Sequence, residues 1–275
     1  METITHLKHP AFRAACRLTE AAPRDTQRRF LMEGAAQIAK ALNAPLCPVE
    51  VYVKEASEPE LVAACERKGI PLYSVAKGLF HRLLVSTYET STTAVAVLPY
   101  WQVPLEEICV RAAGTVLVAE RIQDPRNLGM LIRTADAAQV RAIVLASPIA
   151  DPYSRACVRS TTGSIAFLPV ITCRDSAEVV SAFRERGWRQ VGSSAHAHSI
   201  LWEESLEEPM CLWVGNEETG LLPETRNLLD ILVRIPMGGG AQSLNVAVAA
   251  GILLFEVRRR QHHHVAKHPQ RIVAG

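Results

Sequence analysis

The sequence lacks any apolar run long enough to cross a bilayer. Its N-terminus, METITHLKHPAFR, lacks the basic-then-apolar pattern of a secretory leader. These absences argue against a membrane partner and lead us to expect a cytoplasmic protein. Cysteines in pairs are missing too: Cys16, Cys47, Cys65, Cys109, Cys157, Cys173 and Cys211 are scattered singly, an odd number without metal-ligand spacing. That favours reduced, mostly buried thiols over a disulfide frame, and no metal site is expected. Charge of one sign is scarce, since 30 basic and 28 acidic residues leave a formal net charge of +2. The total therefore neither demands nor excludes a nucleic-acid partner. Internal repeats and low-complexity segments are absent. So are the P-loop lysine and the GxGxxG spacing, which argues against a nucleotide-phosphate site and a dinucleotide oxidoreductase.

What is present is an ordinary globular composition, 48% hydrophobic and 21% charged over 275 residues, enough for one large or two modest domains. Arginines gather in two places. Residues 1–29 carry Lys8, Arg13, Arg17, Arg24, Arg28 and Arg29 against three acids; residues 111–159 carry Arg111, Arg121, Arg126, Arg133, Arg141, Arg155 and Arg159 against four. The planar guanidinium suits phosphate recognition. On charge alone, two solvated helix faces remain the plainer explanation.

Two α/β halves are expected. In the first, helices are predicted over residues 8–20, Glu33–Asn43, Glu58–Lys68 (closed by Gly69) and Ser74–Leu84, with strands at Val49–Val53 and Thr92–Leu98. The stretch Pro99-Tyr-Trp-Gln-Val-Pro104 is the best linker, placing the boundary near 100–112. We therefore expect a domain over 1–105, a second over 110–260, and a basic, frayed tail over 261–275 whose histidines need bind nothing. In the second half, strands are predicted at Thr115–Arg121, Ala142–Ala146, Gln190–Ser194, Met210–Val214 and Ile231–Ile235. Helices are predicted at Leu128–Gln139, Ala177–Arg186 and Leu244–Arg259. Several of these strands are near-continuous apolar runs, as in a parallel sheet buried on both faces, where ligands bind in loops beyond the carboxyl ends.

Three polar loops follow three of these strands. The first, running from Glu120 to Asp136, places Asn127 at an expected helix N-cap with Arg133 off the apolar face. The second, Leu212 to Glu224, puts Glu217 just after Gly215. The third, Ile235 to Ala250, runs through Gly238-Gly239-Gly240 into a helix for which Ser243 is the expected cap. Singly, each can be a plain loop. Together, N-x-G-x-x-x-R-T-A (Asn127–Ala135), V-G-N-E-x-x-G-L (Val214–Leu221) and I-P-M…S-L-N-V-A-V-A (Ile235–Ala249) resemble the three signature motifs of the SpoU/TrmH family of RNA methyltransferases. The resemblance spans 115–258, and more weakly Arg29-Phe-Leu-Met-Glu-Gly34 resembles the family's opening motif. Asn216, Glu218-Thr219 and Ala247 depart from the commonest residues at their positions.

The resemblance implies a C-terminal parallel-sheet domain tied in a trefoil knot, preceded by a small α/β domain that holds RNA. It implies S-adenosylmethionine as cofactor, a homodimer that completes the active site, and transfer of a methyl group to a ribose 2′-hydroxyl of structured RNA, with rRNA favoured over tRNA. Gly215, Ile235, Met237 and Leu244 would line the cofactor pocket, with Ser193 or Ser194 beside them. Glycines 238–240 would give the knotted loop room to cross. Asn127, Arg133, Glu217, Ser243 and Asn245 would surround the ribose. Arg133 is assigned to activation, as a cation rather than a base, because a guanidinium does not lose its proton in a protein. Asn127 would orient it. Glu217 would orient Arg133 or Asn127, or serve only the loop, and Ser243 would serve the ribose or only cap the helix. Two other classes compete: an RNA-binding protein without catalysis, and a base methyltransferase on a similar fold.

Overall fold

The computed structural model describes residues 1–84, 92–110 and 113–267; Arg111 and residues 268–275 of the expected tail lie outside them. The described chain divides into two compact units. The first comprises Met1–Gln102 together with Asp151–Phe167, and the second comprises Val103–Ala150 and the chain from Leu168 onward.

The first unit contains β1 (Glu2–Ile4), α1 (Pro10–Arg17), α2 (Ala21–Gln27), β2 (Arg29–Glu33), α3 (Ala35–Ala41), β3 (Glu50–Lys54), α4 (Pro59–Arg67), β4 (Leu72–Val75), α5 (Lys77–Phe80) and β5 (Ala94–Pro99). Its sheet runs β1-β4-β3-β5-β2, parallel through β3 and antiparallel on both sides of β5. Phe12, Tyr52, Leu83, Val95 and Val97 centre its core. Strand β4 takes in Ser74 and Val75, where the sequence predicts the start of a helix; β4 is sandwiched between β1 and β3, and that pairing outweighs local preference. The Arg29–Glu33 run is likewise a strand, paired with β5.

The second unit contains α6 (Leu105–Cys109), β6 (Thr115–Glu120), α7 (Pro125–Ala137) and β7 (Ile143–Ala146). The chain then returns to the first unit, where it forms α8 (Arg155–Thr161) against β2. It re-enters the second unit with β8 (Val170–Cys173), α9 (Ser176–Arg184), β9 (Arg189–Ser193), β10 (Ser199–Ile200), β11 (Met210–Val214), α10 (Pro223–Leu228), β12 (Ile231–Arg234) and α11 (Val246–Lys267). Helix α11 thus runs through part of the stretch expected to fray. The sheet order is β10-β12-β9-β11-β6-β7-β8, with every pairing parallel. Strands β6, β7 and β11 are buried end to end, which explains their unbroken apolar runs. From β6 the chain steps outward through β7 and β8, then crosses to β9 on the far side of β11. Such a reversal of strand order opens a crevice at the carboxyl edge of a parallel sheet.

Burial also settles the cysteines. All seven are free, and desolvation pushes the Cys109 and Cys173 thiols up to about 11. Among the described residues, no helix is long and apolar enough to cross a membrane, and no cluster of His, Cys, Asp or Glu could hold a metal ion.

Candidate active site

The three loops that follow β6, β11 and β12 meet at the carboxyl edge of the second sheet. The first begins the helix earlier than expected. Asp124, not Asn127, is the N-cap of α7; its carboxylate accepts the Arg126 N–H at 2.8 Å, and Pro125 occupies the first turn. Asn127 lies inside the first turn, buried, with its side chain free for other partners.

The second loop is a tight hairpin. Asn216 and Gly220 exchange backbone hydrogen bonds at 3.1 and 2.9 Å. The Asn216 side chain accepts from the Glu218 and Thr219 N–H groups and donates to the Arg121 carbonyl. A Cβ on Gly215 would stand 2.2 Å from the Gly220 carbonyl carbon and the Leu221 nitrogen, so only glycine fits there.

The third loop reaches α11 through Asn245, whose Oδ1 accepts the Ala247 N–H at 2.9 Å. Asn245 therefore does the capping expected of Ser243. The glycines at 238–240 have nothing within 4 Å of a notional Cβ, so no close crossing of the chain demands them in this structure.

A chain of hydrogen bonds ties the three loops together. The Glu217 carboxylate accepts the Gln123 and Asp124 N–H groups at 3.1 and 3.2 Å and the Asn127 Nδ2 at 3.0 Å. Asn127 Oδ1 in turn accepts from Asn245 Nδ2 at 2.9 Å. Each carboxamide is thus fixed at both ends. Burial works to raise the Glu217 pKa, but the hydrogen bonds from Asn127 and the backbone outweigh it and hold the carboxyl below its ordinary value. A depressed folded pKa means that Glu217 adds stability above the ordinary carboxylate range and loses it as pH falls through the folded value. Glu217→Gln is therefore expected to lower the melting temperature at neutral pH, with the gap to wild type closing below about pH 4. Thermal melts of both proteins from pH 3 to 8 check this; a gap that persists unchanged in acid contradicts it.

Beside this chain lies a cavity of about 320 Å³. Ser193, Ser194, Gly215, Ile235, Met237 and Leu244 all line it, as do Glu217 and Ser243. Of the remaining expected residues, Asn127 and Asn245 connect to the cavity through Glu217, whereas Arg133 does not. It stands six residues beyond Asn127, ~9 Å along the helix axis, with its side chain exposed. The orienting partner of Glu217 within this chain is therefore Asn127, and Asn127 does not reach Arg133. Sequence reasoning passed over Glu120, Arg226 and His196. Arg226 and His196 also line the cavity; they stand outside the signature motifs, and only the fold brings them to it.

A pocket with apolar and polar walls, set beyond the carboxyl ends of β9, β11 and β12 in a parallel sheet, marks an α/β protein built to bind a small organic cofactor. The chain belongs to the SpoU rRNA Methylase family, whose model matches residues 114–255. It is 32% identical over 229 residues to the 23S rRNA (guanosine(2553)-2′-O)-methyltransferase of Bacillus subtilis, covering 83% of this chain and 88% of that protein. Among solved structures, it resembles the AdoMet-bound rRNA methyltransferase of Sinorhizobium meliloti, with 28% identity and a TM-score of 0.83 over 94% of this chain and 98% of that one. It also resembles the SpoU methyltransferase AviRb of Streptomyces viridochromogenes in complex with AdoMet, with 29% identity and a TM-score of 0.83, covering 93% of this chain and 99% of that one.

Proposed function

We propose that this chain methylates a ribose 2′-hydroxyl of a nucleotide in rRNA, using S-adenosylmethionine, as a cytoplasmic enzyme. The observation that carries this reading is the cavity at the sheet edge, walled by Gly215, Ile235 and Leu244 and bounded by a Glu217 carboxylate already fixed to Asn127 and, through Asn127, to Asn245. The cavity fits the cofactor chemically. Gly215 leaves the backbone bare for close approach, Ile235, Leu244 and Val246 offer apolar contact, and Ser193 and Ser194 offer hydroxyls. When bound there, the cofactor supplies a methyl group on a sulfonium, open to in-line displacement.

The chain's own residues then have separate tasks. The wall of the cavity holds and orients. Asn127, Glu217 and Asn245 form a prearranged polar edge, so no reorganisation is needed when substrate arrives. The Arg133 guanidinium stabilises the oxyanion character that grows on the ribose oxygen.

Arg133 can do so most simply if a second copy supplies the site, and its surroundings support that arrangement. On α7, Arg126, Met130, Arg133 and Ala137 form one exposed stripe at helical spacing. On α11, which packs against α7, Val248 and Phe255 stand 52% exposed in line with Ile252. Met130 is 40% exposed. Exposed apolar side chains on two packed helices suit a partner surface, and we assign it to a homodimer. Phe255→Glu is expected to yield monomers in sedimentation velocity with the fold retained by circular dichroism; an unchanged sedimentation coefficient rejects this interface.

The finer features follow the family: a trefoil knot in the C-terminal part of the chain, and an RNA-holding role for the first unit, which adds Asp151–Phe167 to most of the domain expected over residues 1–105. Exposed Arg13, Arg17, Arg28 and Arg29 on the first unit suit phosphate contact. The test is methyl transfer from labelled S-adenosylmethionine to rRNA and tRNA from a host lacking this enzyme, followed by mass spectrometry of the nucleosides. A new 2′-O-methylnucleoside supports the reading. Methyl on a base overturns it, and no transfer together with no cofactor binding points to a non-catalytic RNA-binding protein.

A further inference from the structure

Glu120 ends β6 with 0% exposure. A buried carboxylate is costly unless every lone pair finds a donor. No cation is paired with this one among the described residues; its partners are neutral. Oε1 accepts the Ser176 hydroxyl at 2.6 Å and the Thr225 hydroxyl at 2.5 Å, and Oε2 accepts the Leu222 N–H at 2.8 Å. Thr225 is itself buried. These contacts join the end of β6 to the start of α9, to the last residue of the second loop and to α10.

Two of the three contacts go to chain neighbours of cavity-lining residues, Leu222 beside Leu221 and Thr225 beside Arg226. Gly220 and Leu221, which line the cavity, immediately precede Leu222. Arg226 holds the same rim, donating from Nε to the Leu221 carbonyl at 2.8 Å and from Nη2 to the Thr219 carbonyl at 3.2 Å. The rim is therefore held through an N–H by Glu120 and through carbonyls by Arg226. Its placement matters, because Gly215 packs directly against Gly220 and Leu221. A carboxylate suits this post, since it only accepts hydrogen bonds. A glutamine would turn an NH2 group toward at least one of the donors.

We infer that Glu120 is a positioning residue for the cofactor: through Leu222 and Thr225 it sets the rim of the cavity at the depth that S-adenosylmethionine requires. This rests on the cofactor proposed above. The third contact, to Ser176, leads to α9 and away from the rim, which supplies an internal control.

The experiment is calorimetric titration of the full chain with S-adenosylmethionine alone, beside kinetics on RNA and thermal melts. Glu120→Gln is expected to weaken cofactor affinity on the order of tenfold and to raise the cofactor KM in parallel. The kcat at saturating cofactor should stay within about twofold of wild type. Thr225→Val should weaken affinity in the same direction, whereas Ser176→Ala should leave it unchanged while losing comparable thermal stability. A purely structural carboxylate would instead make the serine and threonine variants alike in affinity, and that result overturns the inference. So does a folded Glu120→Gln protein that binds like wild type. If Glu120→Gln does not fold, the comparison of Thr225→Val with Ser176→Ala decides. No binding by the wild-type chain would remove the cofactor reading itself, and this inference with it.

Discussion

Arg133→Ala is expected to reduce methyl transfer to RNA by ~10²–10³-fold, the usual cost of removing one group that stabilises a developing oxyanion. Cofactor affinity should be unchanged, because the Arg133 side chain is exposed and does not line the cavity. The loss should therefore fall on kcat. Arg133→Lys restores the charge but not the planar fork, so only partial recovery is expected. Single-turnover kinetics and calorimetry check the two halves of this expectation. Full activity in Arg133→Ala removes the cation from the mechanism, and a matching loss of cofactor binding would place Arg133 in the pocket instead.

The second large effect concerns Gly215. A side chain there meets backbone, not a flexible neighbour, at 2.2 Å. Gly215→Val should displace the second loop and abolish measurable cofactor binding, and with it transfer. Gly215→Val and Arg133→Ala also form an informative pair. If Arg133 of one copy serves the cavity of the other, each variant is inactive alone, but mixed dimers regain one complete site. That site unites the intact cavity of the Arg133→Ala chain with the intact arginine of the Gly215→Val chain. Co-expression with two affinity tags, followed by transfer assays on the doubly tagged species, measures this. Inactive mixed dimers would mean that Arg133 and the cavity must belong to one chain, contrary to the proposed arrangement.

The sequence showed some parts of this protein more clearly than others. Apolar runs such as Thr115–Glu120 and Met210–Val214 declared themselves because both of their faces are buried, leaving no polar position to confuse the pattern. Short strands did not. β1, β10 and β4 have two to four residues each, too few for any period to emerge. The helix caps were misplaced by two or three residues for a related reason. Asp124, Asn127, Ser243 and Asn245 are all competent caps by type, and only the backbone path selects Asp124 and Asn245.

By itself, the sequence determined the α/β class, the parallel character of the second sheet and the three loops that would carry the site, since these depend on local pattern and on motifs a few residues long. Tertiary structure alone decided which of those residues meet. It joined Asn127, Glu217 and Asn245 across separations of about a hundred residues, left Arg133 on an outer face, and carried the segment from Asp151 to Phe167 back to the first unit. It also buried Glu120 beneath the cavity rim. The physical reason is that a hydrogen bond between distant loops leaves no local trace in either one. It exists only after the sheet has set the strand order that brings the loop ends together.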